Sequence, residues 1–144
     1  VYKEDSGKII KPVGYQKIEE SIYDNESSLI DFKQELYVTK GMLEVLKKGI
    51  EKRQLNAQRF FIAAHQQLFR IVSLAISGFD TPVSHLGINE TIISLKSLQT
   101  VYNNSIQNIV KNKNEAIDSE FQNNIKRAIN FINKNNDFDT FVHK

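Results

Sequence analysis

The sequence predicts an all-α fold, an antiparallel up-and-down bundle of four main helices, and three observations carry that prediction. Apolar residues recur at three- and four-residue spacing over most of the chain. No run alternates apolar and polar residues long enough to read as a strand. Residues suited to helix ends stand where the periodicity resets. At 144 residues the chain is the size of one domain, read here as a lead-in segment at 1–13 and a single helical-bundle domain at 14–144. It starts at Val1 without a methionine, which reads as a piece of a longer protein.

The lead-in carries charges, Gly7 and Pro12 with no sustained period, and ends at Pro12 and Gly14. A helical pattern begins with Tyr15, Ile18 and Ile22, and continues through Leu29, Phe32, Leu36, Met42 or Leu43, Leu46 and Ile50. Asp24 to Ser28 interrupts it, and Ser27 or Ser28 is suited to cap the second section because a hydroxyl accepts from the free amides of a first turn. That section is expected to run to about Lys52, with Gly41 a weak spot.

Asn56 to Ser77 carries two apolar stripes: Ala57, Phe61, Ala64, Leu68, Ile71 and Ala75, and beside them Ile62, Phe69, Val72 and Ile76. Only Arg59, Gln66, Arg70, Ser73 and Ser77 form a polar strip, so this helix is expected in the middle of the bundle. Gly78 suits the left-handed conformation that ends many helices. A loop spans Phe79 to Ile88, and Asn89 is the expected cap of a helix bearing Ile92, Leu95, Leu98, Tyr102, Ile106 and Ile109. The pattern resets at Lys111 to Asn114. A last helix carries Ala116, Ile117, Phe121, Ile125, Ala128, Ile129 and Ile132, closed by Asn135 or Asn136.

Composition narrows the function. Nineteen basic and seventeen acidic residues leave a formal charge of +2, without the clustered basic face that nucleic acid requires. Lys47, Lys48, Lys52 and Arg53, interrupted by Glu51, read as a solvated helix end, where cations complement the helix dipole. The absence of cysteine excludes disulfides, thiolate catalysis, Cys-bound zinc and covalent c-type haem on this chain. No segment reaches the ~20 apolar residues of a membrane span.

No catalytic constellation stands out. The three histidines, at 65, 85 and 143, lack the spacing of a metal site; His65 falls on the second apolar stripe and reads as an interior or boundary residue, while His85 and His143 read as solvated. There is no Gly-x-Ser-x-Gly turn and no phosphate-cradling glycine loop, so no catalytic residue is assigned. Phe60, Phe61, Phe69, Phe121 and Phe131 read as core.

The stretch "ISGFDTPVSH", 76–85, is the candidate site. Phe79 is placed to fold back over the helix end, Asp80 to accept from amides of the turn, and Pro82 to stiffen the chain after Thr81. Arg70 needs a partner if buried, and Asp80 is the one at hand. A ligand-binding version of this geometry has the loop, Arg70 and Gln66 line a pocket for an anionic or polar ligand.

The stretches "KPVGYQKIEESIYD" at 11–24, "FRIVSLAISGFDTP" at 69–82 and "NNDFDTF" at 135–141 together resemble the helical domain that precedes the haem domains in Bacteroidetes-type proteins of the di-haem cytochrome c peroxidase family. That domain is similar to one bundle of imelysin-like periplasmic proteins, which are associated with iron uptake. The resemblance implies a periplasmic or cell-envelope module, with a lipid anchor as an option on the full-length protein. Its partners would be haem domains of the same polypeptide or an electron-donor protein. The c-type haem, and the reduction of hydrogen peroxide, would belong to a downstream domain. The departures are specific. No Cys-x-x-Cys-His occurs, so no peroxidase residue carries over, and the imelysin Gly-x-His-x-x-Glu pattern is replaced around His65 by "AAHQQL", with Ala63 and Leu68 at the glycine and glutamate positions. The family's "DFDSFDR"-like ending becomes "DFDTFVHK". A free-standing imelysin-like protein that captures a small ligand or iron complex is the alternative implied by the same resemblance.

Overall fold

A computed structural model of the chain describes residues 13–23, 28–81 and 83–137, and the backbone of 3–5 and 8–10. The protein is all-α in its main elements. It falls into two compact units, Val1–Arg53 and Gln54–Lys144.

The first unit opens with two short antiparallel strands, β1 (Lys3–Asp5) and β2 (Lys8–Ile10), with Glu4 opposite Ile9. Three-residue strands are too short for an alternation to register in the sequence, so the lead-in showed no sign of them. Helix α1 (Tyr15–Tyr23) starts after Gly14, whose φ of +108° suits glycine, and packs on α2 (Leu29–Glu51). Ser28 caps α2 as expected, its Oγ accepting from the Asp31 amide at 3.1 Å, and α2 ends one residue before Lys52. Ser27 lies outside the described residues.

The apolar stripe expected along α2 is largely exposed. Leu29, Leu36, Met42, Leu43, Leu46 and Ile50 all remain accessible, and only Phe32 of that series is half-buried. At 1.5 Å per residue α1 spans about 14 Å and α2 about 35 Å, so α1 is too short to cover its neighbour. The cationic end of α2 is solvated as expected, with Lys47 beside Glu51 at 3.9 Å.

The second unit is built from α3 (Ala57–Arg70), a π-helical turn (Ile71–Ala75), α4 (Gly87–Ser105), α5 (Gln107–Lys113) and α6 (Glu115–Lys134). Asn56 caps α3, its side chain accepting from the Arg59 amide, and Asn114 caps α6 by accepting from the amides of Ala116 and Ile117. The core gathers Phe60 and Ala64 of α3, Tyr102 of α4, Ile106 and Val110, with Phe61 and Phe121 packed against them. Four of these rings form one cluster: Tyr102 and Phe121 lie 4.1 Å apart by centroid, and Phe60 meets Phe61 edge-on at 5.3 Å. A second cluster joins Ile71, Leu95 and Ile125 toward the π turn.

Several expectations fail in this unit. The helix from Asn56 is not central, because only the face carrying Phe60, Ala64 and Ile71 is buried; Ile62, Phe69 and Val72 of the second stripe are exposed. With them His65 is exposed rather than interior, and Phe69 and Phe131 do not belong to the core. The regular helix stops at Arg70, and Ile76 N–H reaches back five residues to Ile71 O at 2.9 Å. The helix expected from Asn89 through Ile109 breaks at Ile106; Ile106 and Val110 are buried and Ile109 is exposed.

Candidate functional site

The loop after the π turn is fixed at both ends by backbone chemistry. Gly78 takes the left-handed conformation, φ +76°, and its amide donates to Ala75 O at 3.2 Å. Asp80 N–H then donates to Leu74 O at 3.1 Å, which turns the chain back along the helix it has left. Thr81 is buried, and its Oγ1 accepts from the Gly87 amide at 3.0 Å. It therefore supplies the cap of α4 expected from Asn89, and the helix starts three residues earlier than expected because a hydroxyl six residues upstream satisfies its first amide. Thr91 Oγ1 donates to Gly87 O at 2.9 Å, so both backbone groups of Gly87 are held.

Gly87 could not be another residue in this arrangement. A Cβ there would collide with the Ala75 carbonyl oxygen and lie 3.1 Å from Thr81 Oγ1. The missing side chain lets the start of α4 sit directly on the π turn.

Arg70 and Asp80 pair, with Nε and Nη2 of the guanidinium both 3.3 Å from Asp80 Oδ2. The pair is on the surface, not buried: the Arg70 side chain is 62% exposed and that of Asp80 29%. Asp80 accepts from Arg70 and not from amides of the turn. Phe79 is 62% exposed and does not cover the helix end. Its amide donates to Ser77 Oγ at 3.4 Å. Gln66 is exposed and makes no hydrogen bond to Arg70 or to the described part of the loop. Pro82 lies outside the described residues, as does His143. His85 is exposed, with φ +55° and its amide donating to Thr81 O.

A different concavity exists in this unit. A groove of about 430 Å³ runs between α3 and α4, lined by Leu55, Phe60, Ala63, Ile93, Ser97 and Val101 among others. The small side chains of Ala63, Ser94 and Ser97 make it, and spacing alone could not reveal it because it depends on the register between two helices. Sequence reasoning also missed Asp118, a buried carboxylate on α6 whose Oδ1 accepts from the Tyr102 hydroxyl at 3.0 Å. Burial first, and then this hydrogen bond and charge, push the Tyr102 phenol up to about 12.

Among the described residues no group of three or more His, Cys, Asp or Glu side chains is placed to hold a metal ion, and no helix is long and apolar enough to cross a membrane. No protein-family model matches the chain, and comparison with curated proteins and with solved structures finds no match. The fold and the loop thus define a protein that is all-α in its main elements, with a braced turn bearing an exposed aromatic between its π segment and α4.

Proposed function

We propose that this chain is a non-catalytic accessory or docking module, akin to the N-terminal helical domain of periplasmic di-haem cytochrome c peroxidases, with hydrogen peroxide reduction and electron transfer carried by haem domains outside it. The observation that supports this reading is Phe79: a large aromatic side chain 62% exposed in a turn that is held by Thr81, Gly87 and the Arg70–Asp80 pair. Exposed aromatics on a preorganised turn suit recognition, since little conformational entropy remains to be lost on binding. Ile62, Phe69 and Val72 on α3 and the π turn add exposed apolar surface. The finer architecture, an antiparallel four-helix bundle resembling half of an imelysin-like protein, and the periplasmic or lipid-anchored location belong to the same proposal.

The first experiment is to read the gene past the codon for Lys144. Two Cys-x-x-Cys-His motifs in frame within the next few hundred codons are the expected result. A stop codon or another cysteine-free helical run overturns the peroxidase context. The groove between α3 and α4 favours a second reading, an imelysin-like binding protein for a small ligand or iron complex, and that outcome would direct ligand screening to the groove.

A further inference from the structure

The long helix of the first unit has an apolar face with little over it. Among the described residues of that unit only Thr39 is buried, and no apolar side chain of α1 or α2 is. A 23-residue helix draws most of its stability from burying one face, so an exposed face of this length calls for a partner.

That face has the period of a coiled coil. Leu29, Leu36, Leu43 and Ile50 recur every seven residues, as the a positions of a heptad do, and Phe32, Thr39 and Leu46 fall at d. Of the d positions Thr39 is buried and Phe32 half-buried. The four a positions are between 41% and 68% exposed, and at 1.5 Å per residue they form a ridge about 32 Å long.

The flanking charges select the occupant and its direction. Lys33, Lys40 and Lys47 hold the e positions, and Glu35 holds a g position. An antiparallel pair of α2 helices sets e against e, lysine facing lysine, which is repulsive. A parallel pair sets g against the e position five residues on, and so brings Glu35 to Lys40 of the other copy. Glu35 has a use for such a partner, because one of its carboxylate oxygens is shielded from water with no hydrogen-bond partner. Glu35, Glu44 and Glu51 on the same helix oppose the other candidate occupant, an anionic lipid surface.

We propose that α2 is a self-association surface on which a second copy of this chain pairs in parallel and in register. Leu29, Leu36, Leu43 and Ile50 each meet their counterparts, and the lysine row of one copy faces Glu35 of the other.

Sedimentation velocity on the whole chain from about 1 to about 500 μM should show a species of twice the 16.6 kDa monomer growing with concentration. Leu43→Glu sets like charges face to face on the ridge and should weaken association by at least about tenfold, while Val45→Glu, on the opposite side of the helix, should leave it unchanged. Both positions are exposed, so neither variant should lose helical ellipticity. The chain has no cysteine, so one introduced thiol reads the direction: Ile50→Cys should form a disulfide-linked dimer at least about tenfold faster than Val45→Cys, since only a parallel pair brings the two copies of position 50 within bonding range. A monomer at every concentration overturns the proposal, including one that binds anionic phospholipid vesicles, which would assign the ridge to a lipid surface. So does a dimer that Leu43→Glu leaves intact, or one in which Ile50→Cys links no faster than Val45→Cys.

Discussion

The Arg70 guanidinium and the Asp80 carboxylate meet across the π turn, two nitrogens sharing one oxygen at 3.3 Å each, with the arginine side chain 62% exposed. Monodentate geometry in water contributes little, typically about 0–1 kcal/mol, because both ions stay hydrated and salt screens them. Asp80→Asn is therefore expected to lower the melting temperature by no more than about 3 °C, with the difference shrinking as salt is raised. A loss of about 8 °C or more, well over twice what such a surface pair supplies, would show that Asp80 does something besides pair with Arg70.

Gly87 has the opposite profile. A methyl group there meets the Ala75 carbonyl oxygen, a backbone atom that cannot swing aside, so Gly87→Ala should destabilise by at least about 2 kcal/mol and lower the melting temperature by roughly 5 °C or more. Gly41, in the middle of α2, has nothing within 4 Å of where a Cβ would stand. Gly41→Ala should stabilise by about 0.5–1 kcal/mol through helix propensity and a less flexible unfolded chain. Thermal denaturation of the two variants side by side separates a packing glycine from a merely tolerated one, and similar shifts of one sign would refute the contrast.

The first amide of α4 gives a third test. Thr81→Val keeps the shape and removes the acceptor of the Gly87 amide, leaving a buried donor unpaired, for a loss of about 1–2 kcal/mol in urea denaturation. Thr81→Ser should recover most of it. Asn89→Ala should be neutral within about 0.5 kcal/mol, because Asn89 stands inside α4 and not at its cap. Equal losses at Thr81 and Asn89 would return the cap to the residue that local spacing favours.

That contrast shows what was legible in the sequence. The cap at Ser28 was readable because its hydroxyl accepts from an amide three residues on; Asn56 and Asn114 cap by the same local chemistry, though spacing marked them only as the edges of their segments. Gly78 was readable for the same reason, and the Arg70–Asp80 pair because a ten-residue separation across one turn leaves few alternatives. Thr81 capping over six residues was not, since that depends on how the loop closes. Which of the two apolar stripes on α3 is covered is a tertiary matter, and propensity cannot choose between Phe61 with Ala64 and Ile62 with Phe69. The π turn and the break at Ile106 carry no glycine or proline to mark them. Asp118 sits in a helical first turn where an acidic residue reads as a favourable dipole contact on the surface, and only the position of Tyr102 on another helix makes it a buried partner.

Tyr102 supplies the final prediction. Its side chain is 0% exposed, and burial together with the Asp118 carboxylate beside its hydroxyl pushes the phenol up to about 12 from an ordinary value near 10. Both causes favour the neutral phenol, so the folded state holds its proton more tightly than the unfolded chain. The contribution to stability is therefore complete below about pH 10, where both states are protonated, and is lost as the pH rises from about 10 through about 12. Ultraviolet titration of the five tyrosines should show Tyr102 ionising last, in a step that coincides with loss of the folded signal. Tyr102→Phe keeps the ring against Phe121 and should abolish that late step, leaving the other four tyrosines to ionise. Asp118→Asn should move the late step toward lower pH, since it removes the neighbouring negative charge but not the burial. A titration in which all five tyrosines ionise together near pH 10, with the protein still folded, would rule out a buried Tyr102–Asp118 contact.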